Sequence, residues 1–314
     1  MAERRFDGRV AVITGAGRGL GREHALLLAS KGARVLVNDI GAAMSGDGRD
    51  EGPARDVVSE IEAAGGEAVA CLESVATPEG GKAIIEAALD AFGRIDILIH
   101  NAGNVRYGAL AEISYEDFRG VLDVHLLGAF HVVRPGFELM CKAGYGRIVL
   151  TGSIGGIYST PGVVNYAMSK SGMIGLNNIA AIEGAEHNVK SNIVLPGSIT
   201  RIAERYDTSS YPPMGPEKVS PLVGYLCHED CAVTGEMYVS IAGRIARAFI
   251  SETQGLYRPD WSIDDVADNL DVIRDPSNAW TLHPAEGAYA EHIARSFAMA
   301  GSGEGPKLQD GSEL

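Results

Sequence analysis

The chain is short of cysteine, of aromatic residues and of positive charge, and each shortage excludes something. Its cysteines stand at 71, 141, 227 and 231 of 314 residues, which is no disulfide framework for a chain of this length. Cys227, His228 and Cys231 fall together in "CHEDC", yet no second ligand pair accompanies them, so packed or half-exposed thiols come ahead of zinc. Lysine and arginine number 27 against 41 acids, a net charge of −14. That balance argues against nucleic acid, whose phosphates need a basic surface, though it allows a local basic pocket for a phosphorylated ligand. No apolar run approaches the length of about 20 residues that spans a bilayer. The opening "MAERRFDGRVAVITG" has no apolar core of a secretory leader, and the closing "GSEL" matches no peroxisomal or retention address. From these absences we expect a soluble protein of the reducing cytoplasm, bound to neither membrane nor nucleic acid.

What is present is apolar and regular. Hydrophobic residues make up 46% of the chain, enough for a full core. Short β-branched runs recur at 9–14, 33–39, 67–72, 95–100, 146–152 and 189–195, with a further candidate at 236–241. Helix-length segments lie between them, at 19–31, 51–64, 78–92 and 114–141; Thr77 and Pro78 form an N-cap and first-turn pair. This alternation predicts an α/β fold: a Rossmann-type doubly wound parallel sheet of about seven strands with helices on both faces. Residues 40–53, rich in Gly and Asp, read as a surface loop. After about residue 250 the strand pattern stops, and "WSIDDVADNLDVI" reads as a helix capped by Ser262. We therefore expect one Rossmann-fold domain over 1–250, a dependent helical extension over 251–300 and a disordered tail over 301–314.

Two stretches suggest chemistry. "TGAGRGLG" (14–21) joins the first strand to the first helix. The spacing Gly15-x-x-x-Gly19-x-Gly21 suits a tight turn, a close backbone approach to a pyrophosphate and a helix N-terminus aimed at it. Asp39 ends the second strand, where a carboxylate bonds the ribose hydroxyls of adenosine and repels a 2′-phosphate; this favours NAD over NADP. Arg18 within the turn is the counter-signal, and a turn cap is the other reading of Asp39. In "NYAMSK", Tyr166 and Lys170 stand i and i+4, on one face of a helix. A lysine beside a phenol favours the phenolate, which makes the pair a candidate for proton transfer.

Taken in order, "TGAGRGLG", "HNAG" (100–103), Ser153, "YAMSK" and "PG" (196–197) make the chain resemble the short-chain dehydrogenase/reductase family over roughly residues 8–245. The stretches "ALDAFGRIDILIHNAG", "GIYSTPGVVNYAMSK", "LCHEDC" and "WSIDDVADNLDVIRDPSNA" are similar to one branch of it, the (3R)-hydroxyacyl-CoA dehydrogenase units of type 2 peroxisomal multifunctional enzymes, also called 17β-hydroxysteroid dehydrogenase type 4. The resemblance implies Tyr166 as general base, Lys170 as its electrostatic support and a ribose contact, and Ser153 as the partner of the substrate oxygen. His125 stands where the family usually has an asparagine acting through its backbone carbonyl, so it acts either through that carbonyl or as a side-chain proton relay.

The same resemblance implies cofactor contacts at Gly15, Arg18, Gly19, Leu20, Gly21 and Asp39. It extends them to Glu73, Ser74 and Val75 near adenine, to Asn101, Ala102 and Gly103 along the ribose and diphosphate, and to Pro196, Gly197, Ile199 and Thr200 at the nicotinamide. Residues 198–216 take the place of a lid, with Arg201 and Arg205 as candidate CoA-phosphate partners and Tyr158 and Tyr211 as candidate walls. The implied function is NAD-dependent oxidation of a (3R)-3-hydroxyacyl-CoA or a 17β-hydroxysteroid by a homodimer or homotetramer. Two alternatives stay open: a dehydrogenase of an unrelated secondary alcohol or ketone such as a terpenoid, and a non-catalytic NAD-binding regulator.

Overall fold

A computed structural model describes residues 3–201, 207–281, 283–285 and 287–301; Arg205 and residues 302–314 of the expected tail lie outside the described residues. Strands β1 (Val10–Thr14), β2 (Arg34–Asn38), β3 (Glu67–Cys71), β4 (Ile97–His100), β5 (Gly146–Thr151), β6 (Val189–Gly197) and β7 (Met237–Ile241) fall where the β-branched runs predict them. An eighth strand, β8 (Arg244–Ala248), corrects the expectation of about seven. It follows β7 through the two-residue turn Ala242 and Gly243, whose φ values are 50° and 83°. Such turns ask for glycine or asparagine at both positions, and Ala242 together with the charged "RIARA" hides the hairpin from sequence reasoning.

The sheet order is β3-β2-β1-β4-β5-β6-β7-β8. Pairing is parallel from β3 through β7. β1, β4 and β5 are buried at every position, because helices cover both faces and leave no wet side to alternate toward. Edge strand β3 is buried only at Ala68 and Cys71. On one face α1 (Gly19–Ser30) packs on α2 (Gly52–Ala63) and α7 (Ser220–Cys227); on the other lie α3 (Pro78–Phe92), α4 (Tyr115–Leu122), α5 (Gly128–Ala143) and α6 (Val164–Glu183). Thr77 caps α3 as expected, accepting from the Gly80 N–H at 3.1 Å. The single helix expected over 114–141 is α4 and α5 joined by a π-helical turn, Asp123–Leu127. That wider turn carries His125, and such insertions commonly mark functional sites.

Chain order reverses between β1 and β4, the position at which the carboxyl ends of neighbouring strands diverge and leave a crevice. Gly15, Asp39, Asn101 and Ser153 all follow the carboxyl ends of strands, and Pro196 sits near the end of β6. The topology thus gathers residues far apart in sequence at one edge of the sheet.

The contacts divide the chain into two units, Met1–Arg247 and Ala248–Leu314. In the second, α8 (Ile263–Asp268) has a complete capping box, with the Ser262 side chain bonding the Asp265 N–H and the Asp265 side chain bonding the Ser262 N–H. The expected continuous helix breaks at Asn269, whose side-chain amide donates to the Asp265 carbonyl at 2.8 Å in competition with the helical ladder. α9 (Leu270–Ile273) and α10 (Ala288–Met299) follow. No helix among the described residues is long and apolar enough to cross a membrane.

Candidate active site

A cavity of about 760 Å³ opens at the carboxyl edge of the first unit, within the size range of small-molecule sites. The glycine-rich turn forms its floor. Gly15 holds φ at +63°, and a Cβ there would lie 2.7 Å from the Ala102 Cα, so this turn requires glycine. Gly21 does not line the cavity; it allows the helix start to close on the turn, since its Cβ would stand 2.2 Å from the Gly15 carbonyl oxygen. Arg18, the N-cap of α1, makes no side-chain cap bond, and the first turn holds no acid. The leading N–H groups of α1 are thus free for an anion.

Asp39 is both of the things its position suggested. Its Oδ2 accepts from the Gly17 N–H at 2.8 Å and its Oδ1 from the Gly41 N–H at 2.7 Å, so it caps two turns. It also lines the cavity, and each carboxylate oxygen keeps a further lone pair for a ribose hydroxyl. The Arg18 guanidinium stands 3.7 Å from the Asp50 carboxylate, which partly satisfies the one cation in the turn. Glycine backbone, free helix N–H groups and a terminal carboxylate form the donor and acceptor set that a nicotinamide dinucleotide requires; the residues present fit that group.

Leu20, Glu73, Ser74, Val75, Asn101, Ala102 and Gly103 also line the cavity, as do Pro196, Gly197, Ile199 and Thr200 toward its other end. Arg201 and Tyr211 reach it as well. Tyr158 does not: it is 83% exposed, and the expectation that it forms a wall is not met. The CHEDC cysteines are free and buried, part of the core cluster under α7. Among the described residues no group of three or more metal-ligating side chains comes together.

Tyr166 and Lys170 meet on one face of α6, with Nζ 5.5 Å from the ring centre. Burial raises the Tyr166 phenol above its ordinary pKa, and the hydrogen bond with Ser153 opposes that shift. Ser153 Oγ is held in turn by the Gly155 N–H at 3.0 Å. Lys170 is buried, donates to the Thr151 carbonyl, and burial pulls its pKa down to about 7. The ring of His125 packs edge-on against that of Tyr166 at 5.2 Å between centroids.

Three features escape sequence reasoning. The first is His100, which in "HNAG" is visible only as a letter. Thr14 Oγ1 accepts from the Asn101 and Ala102 N–H groups, so its proton goes to His100 Nδ1 at 3.1 Å. Nε2–H of His100 then donates to the His125 carbonyl at 3.2 Å, which fixes the tautomer. His125 Nε2 lies 2.7 Å from the Asn104 carbonyl; the shorter contact makes it the donor there and leaves its buried Nδ1 without a partner among the described residues. The second is Asn165, fully buried, which accepts the Tyr166 N–H at 2.8 Å. The third is the loop after Asp39, expected at the surface; Ile40, Ala42, Ala43, Met44 and Gly46 line the cavity.

Known proteins carry the same architecture. A family profile described as short chain dehydrogenase matches residues 9–208. The peroxisomal multifunctional enzyme type 2 of Drosophila melanogaster is 45% identical over 91% of this chain. A short-chain type dehydrogenase/reductase of Mycobacterium tuberculosis is 41% identical, covering 86% of this chain and 96% of its own length. The solved structure of the full-length Drosophila enzyme superposes with a TM-score of 0.78 at 38% identity, over 96% of this chain and 51% of that one. The chain spans about half the length of that fly relative, 48% of it in the sequence match. Several relatives are peroxisomal enzymes by name, and this overturns the cytoplasmic placement expected from the termini. With the profile covering most of the first unit and relatives matched over nine-tenths of the chain, the protein belongs to the short chain dehydrogenase family and is an oxidoreductase that uses a nicotinamide cofactor.

Proposed function

We propose that the chain oxidises a (3R)-3-hydroxyacyl-CoA ester, or a 17β-hydroxysteroid, with NAD as acceptor. One observation carries the reading: a half-buried tyrosine bonds the Ser153 hydroxyl and has the Lys170 Nζ 5.5 Å from its ring, beside a cavity that fits a dinucleotide. The bound nicotinamide supplies the hydride acceptor. Tyr166 takes the alcohol proton as general base. Its phenol is disfavoured as an anion while buried, so it depends on positive charge nearby when it ionises. Lys170 supplies that charge and, with a pKa of about 7, can itself exchange a proton near neutrality. Ser153 Oγ, oriented by Gly155, bonds the substrate oxygen where charge develops.

His125 acts through position. Burial holds its imidazole well below the usual pKa, so it stays neutral and is a poor side-chain relay. Its carbonyl, fixed by His100, supports the backbone role. NAD is favoured over NADP by Asp39 at the end of β2, and by the ion pair that occupies Arg18. A homodimer or homotetramer is supported by exposed apolar side chains on α5 and α6, among them Phe130, Met168 and Ile179. The expected work of the peroxisomal relatives' dehydrogenase units is the basis for the acyl-CoA substrate.

The test is nicotinamide reduction with a (3R)-hydroxyacyl-CoA, its (3S) partner and a 17β-hydroxysteroid, each with NAD and NADP. Turnover of the (3R) ester with NAD, at least tenfold above the (3S) ester, is expected. Turnover confined to an unrelated secondary alcohol would sink the substrate reading and leave the oxidoreductase standing.

A further inference from the structure

The loop from Ile40 to Glu51 covers one end of the cavity, yet no regular element holds it there. Its own bonds shape it: Ala43 N–H donates to the Asp47 carbonyl, Gly46 N–H to Ala43 and Asp50 N–H to Ile40. At its far end Arg49 donates to the Leu72 carbonyl at 3.2 Å and Asp50 pairs with Arg18 at 3.7 Å; its middle is attached through three consecutive residues after β4. Val105 N–H donates to the Met44 carbonyl at 2.9 Å, and Asn104 Nδ2 reaches the Ser45 carbonyl at 3.3 Å. Arg106 adds a three-way grip: Nε donates to the Ser45 carbonyl at 2.8 Å, one terminal nitrogen to Asp47 at 2.9 Å and the other to Asp117 of α4 at 3.1 Å. The Asp47 and Asp117 carboxylates are both exposed, Asp47 the more so, and therefore screened; the Ser45 carbonyl is the stronger anchor.

The same residue also connects to the catalytic helix. Asn165 Nδ2 donates to the Arg106 carbonyl at 3.0 Å and to the Asp117 carbonyl at 3.1 Å. Asn165 Oδ1 accepts the Tyr166 N–H, in a helix start that has no side-chain cap of its own. The fork of an arginine can hold three acceptors in fixed directions at once. Here it joins a cavity-lining loop to Asp117, whose backbone carbonyl, with that of Arg106 itself, holds Asn165 and through it the Tyr166 amide.

We propose that Arg106 is a positioning residue that straps the 40–51 loop over the bound dinucleotide and couples that loop to the start of the Tyr166 helix. The inference rests on the cavity being the nicotinamide-dinucleotide site. Two consequences follow. Loss of the strap weakens dinucleotide binding, although Arg106 is not among the residues that line the cavity. It also loosens the loop and the Tyr166 amide together, because the guanidinium steadies the Arg106 and Asp117 backbone whose carbonyls hold Asn165.

The experiment compares the full chain with Arg106→Met and Arg106→Lys. The Met variant keeps the apolar stem and loses the fork; the Lys variant keeps the charge but cannot span three acceptors. NADH affinity is read by fluorescence titration, and amide hydrogen exchange is followed at 43–47, at Tyr166 and in β4. Losing charge-assisted bonds to the loop is expected to raise the NADH Kd about tenfold for Met and about threefold for Lys. Exchange should quicken at 43–47 and at Tyr166, with β4 unchanged. Parent-like NADH affinity in folded variants overturns the proposal, as does weaker binding with unaltered exchange at those amides. If Arg106→Met does not fold, the same two readouts in Arg106→Lys decide the matter. Failure of the parent itself to bind NADH would instead overturn the reading of the cavity.

Discussion

Lys170 should cost the protein stability, and the cost should have a pH signature. The side chain is buried, and its pKa falls to about 7 from the ordinary 10.5. Between those values the unfolded chain binds a proton that the folded chain releases. Stability must then rise with pH across that window and be lowest where the lysine is charged in both states. The difference corresponds to about 4 kcal/mol of destabilisation at pH 7, falling to about 2 kcal/mol at pH 9 and vanishing above pH 11. Lys170→Met removes the charge while keeping an unbranched side chain. It forfeits the bond to the Thr151 carbonyl and leaves that acceptor bare, which costs back roughly 1–3 kcal/mol. A net gain of about 1–3 kcal/mol at pH 7 follows, together with loss of dehydrogenase activity. Urea unfolding at pH 7 and pH 9 isolates the electrostatic part, because the Thr151 loss is common to both pH values. The gap between variant and parent should shrink by about 2 kcal/mol from pH 7 to pH 9. A gap that stays constant over this interval refutes the argument that an active-site charge is held against burial.

Three further outcomes are expected. His24, His100 and His125 are buried; burial lowers the first two to about 3 and holds the third well below its usual value. Each stays neutral in the fold while the unfolded chain gains a proton below about pH 6.5, so acidification from pH 6.5 to pH 5 should remove about 5 kcal/mol. His24→Gln should cut that slope by about a third, and an unchanged slope would count against the assignment. Asp39→Ala should lower the NAD-to-NADP ratio of kcat/KM at least tenfold, roughly the value of one charged contact; an unchanged ratio would show that Asp39 only caps its turns. His125→Asn should leave the pH profile of turnover in place, since the imidazole is neutral throughout, whereas a displaced profile would restore the side-chain relay.

The parallel sheet was legible because buried strands leave a plain mark, an uninterrupted β-branched run. Its eighth strand was not, because two of the five residues of "RIARA" are charged and Ala242 adopts a positive φ that no sequence rule would assign to alanine. Gly15 and Gly21 were recognisable by spacing, although only the geometry separates their tasks, one in the turn and one in the closure of α1. Tyr166 and Lys170 stood out through helical periodicity, and Ser153 only through resemblance. His100, Asn104, Arg106 and Asn165 carried no local signal. Their roles arise from hydrogen bonds to backbone carbonyls of other segments, and a carbonyl looks the same under every residue type. The 40–53 loop was misplaced for a related reason: Gly and Asp mark a turn but not the surface it folds onto.

The central claim is that Tyr166 is the proton acceptor in hydride transfer from a secondary alcohol. It is tested most directly by following deuterium from the carbinol carbon of a (3R)-hydroxyacyl-CoA to nicotinamide C4 in the parent and in Tyr166→Phe. The account predicts label transfer in the parent and its loss, by about a thousandfold in rate, in a variant that still binds NADH. Label transfer at a parent-like rate in Tyr166→Phe would contradict it.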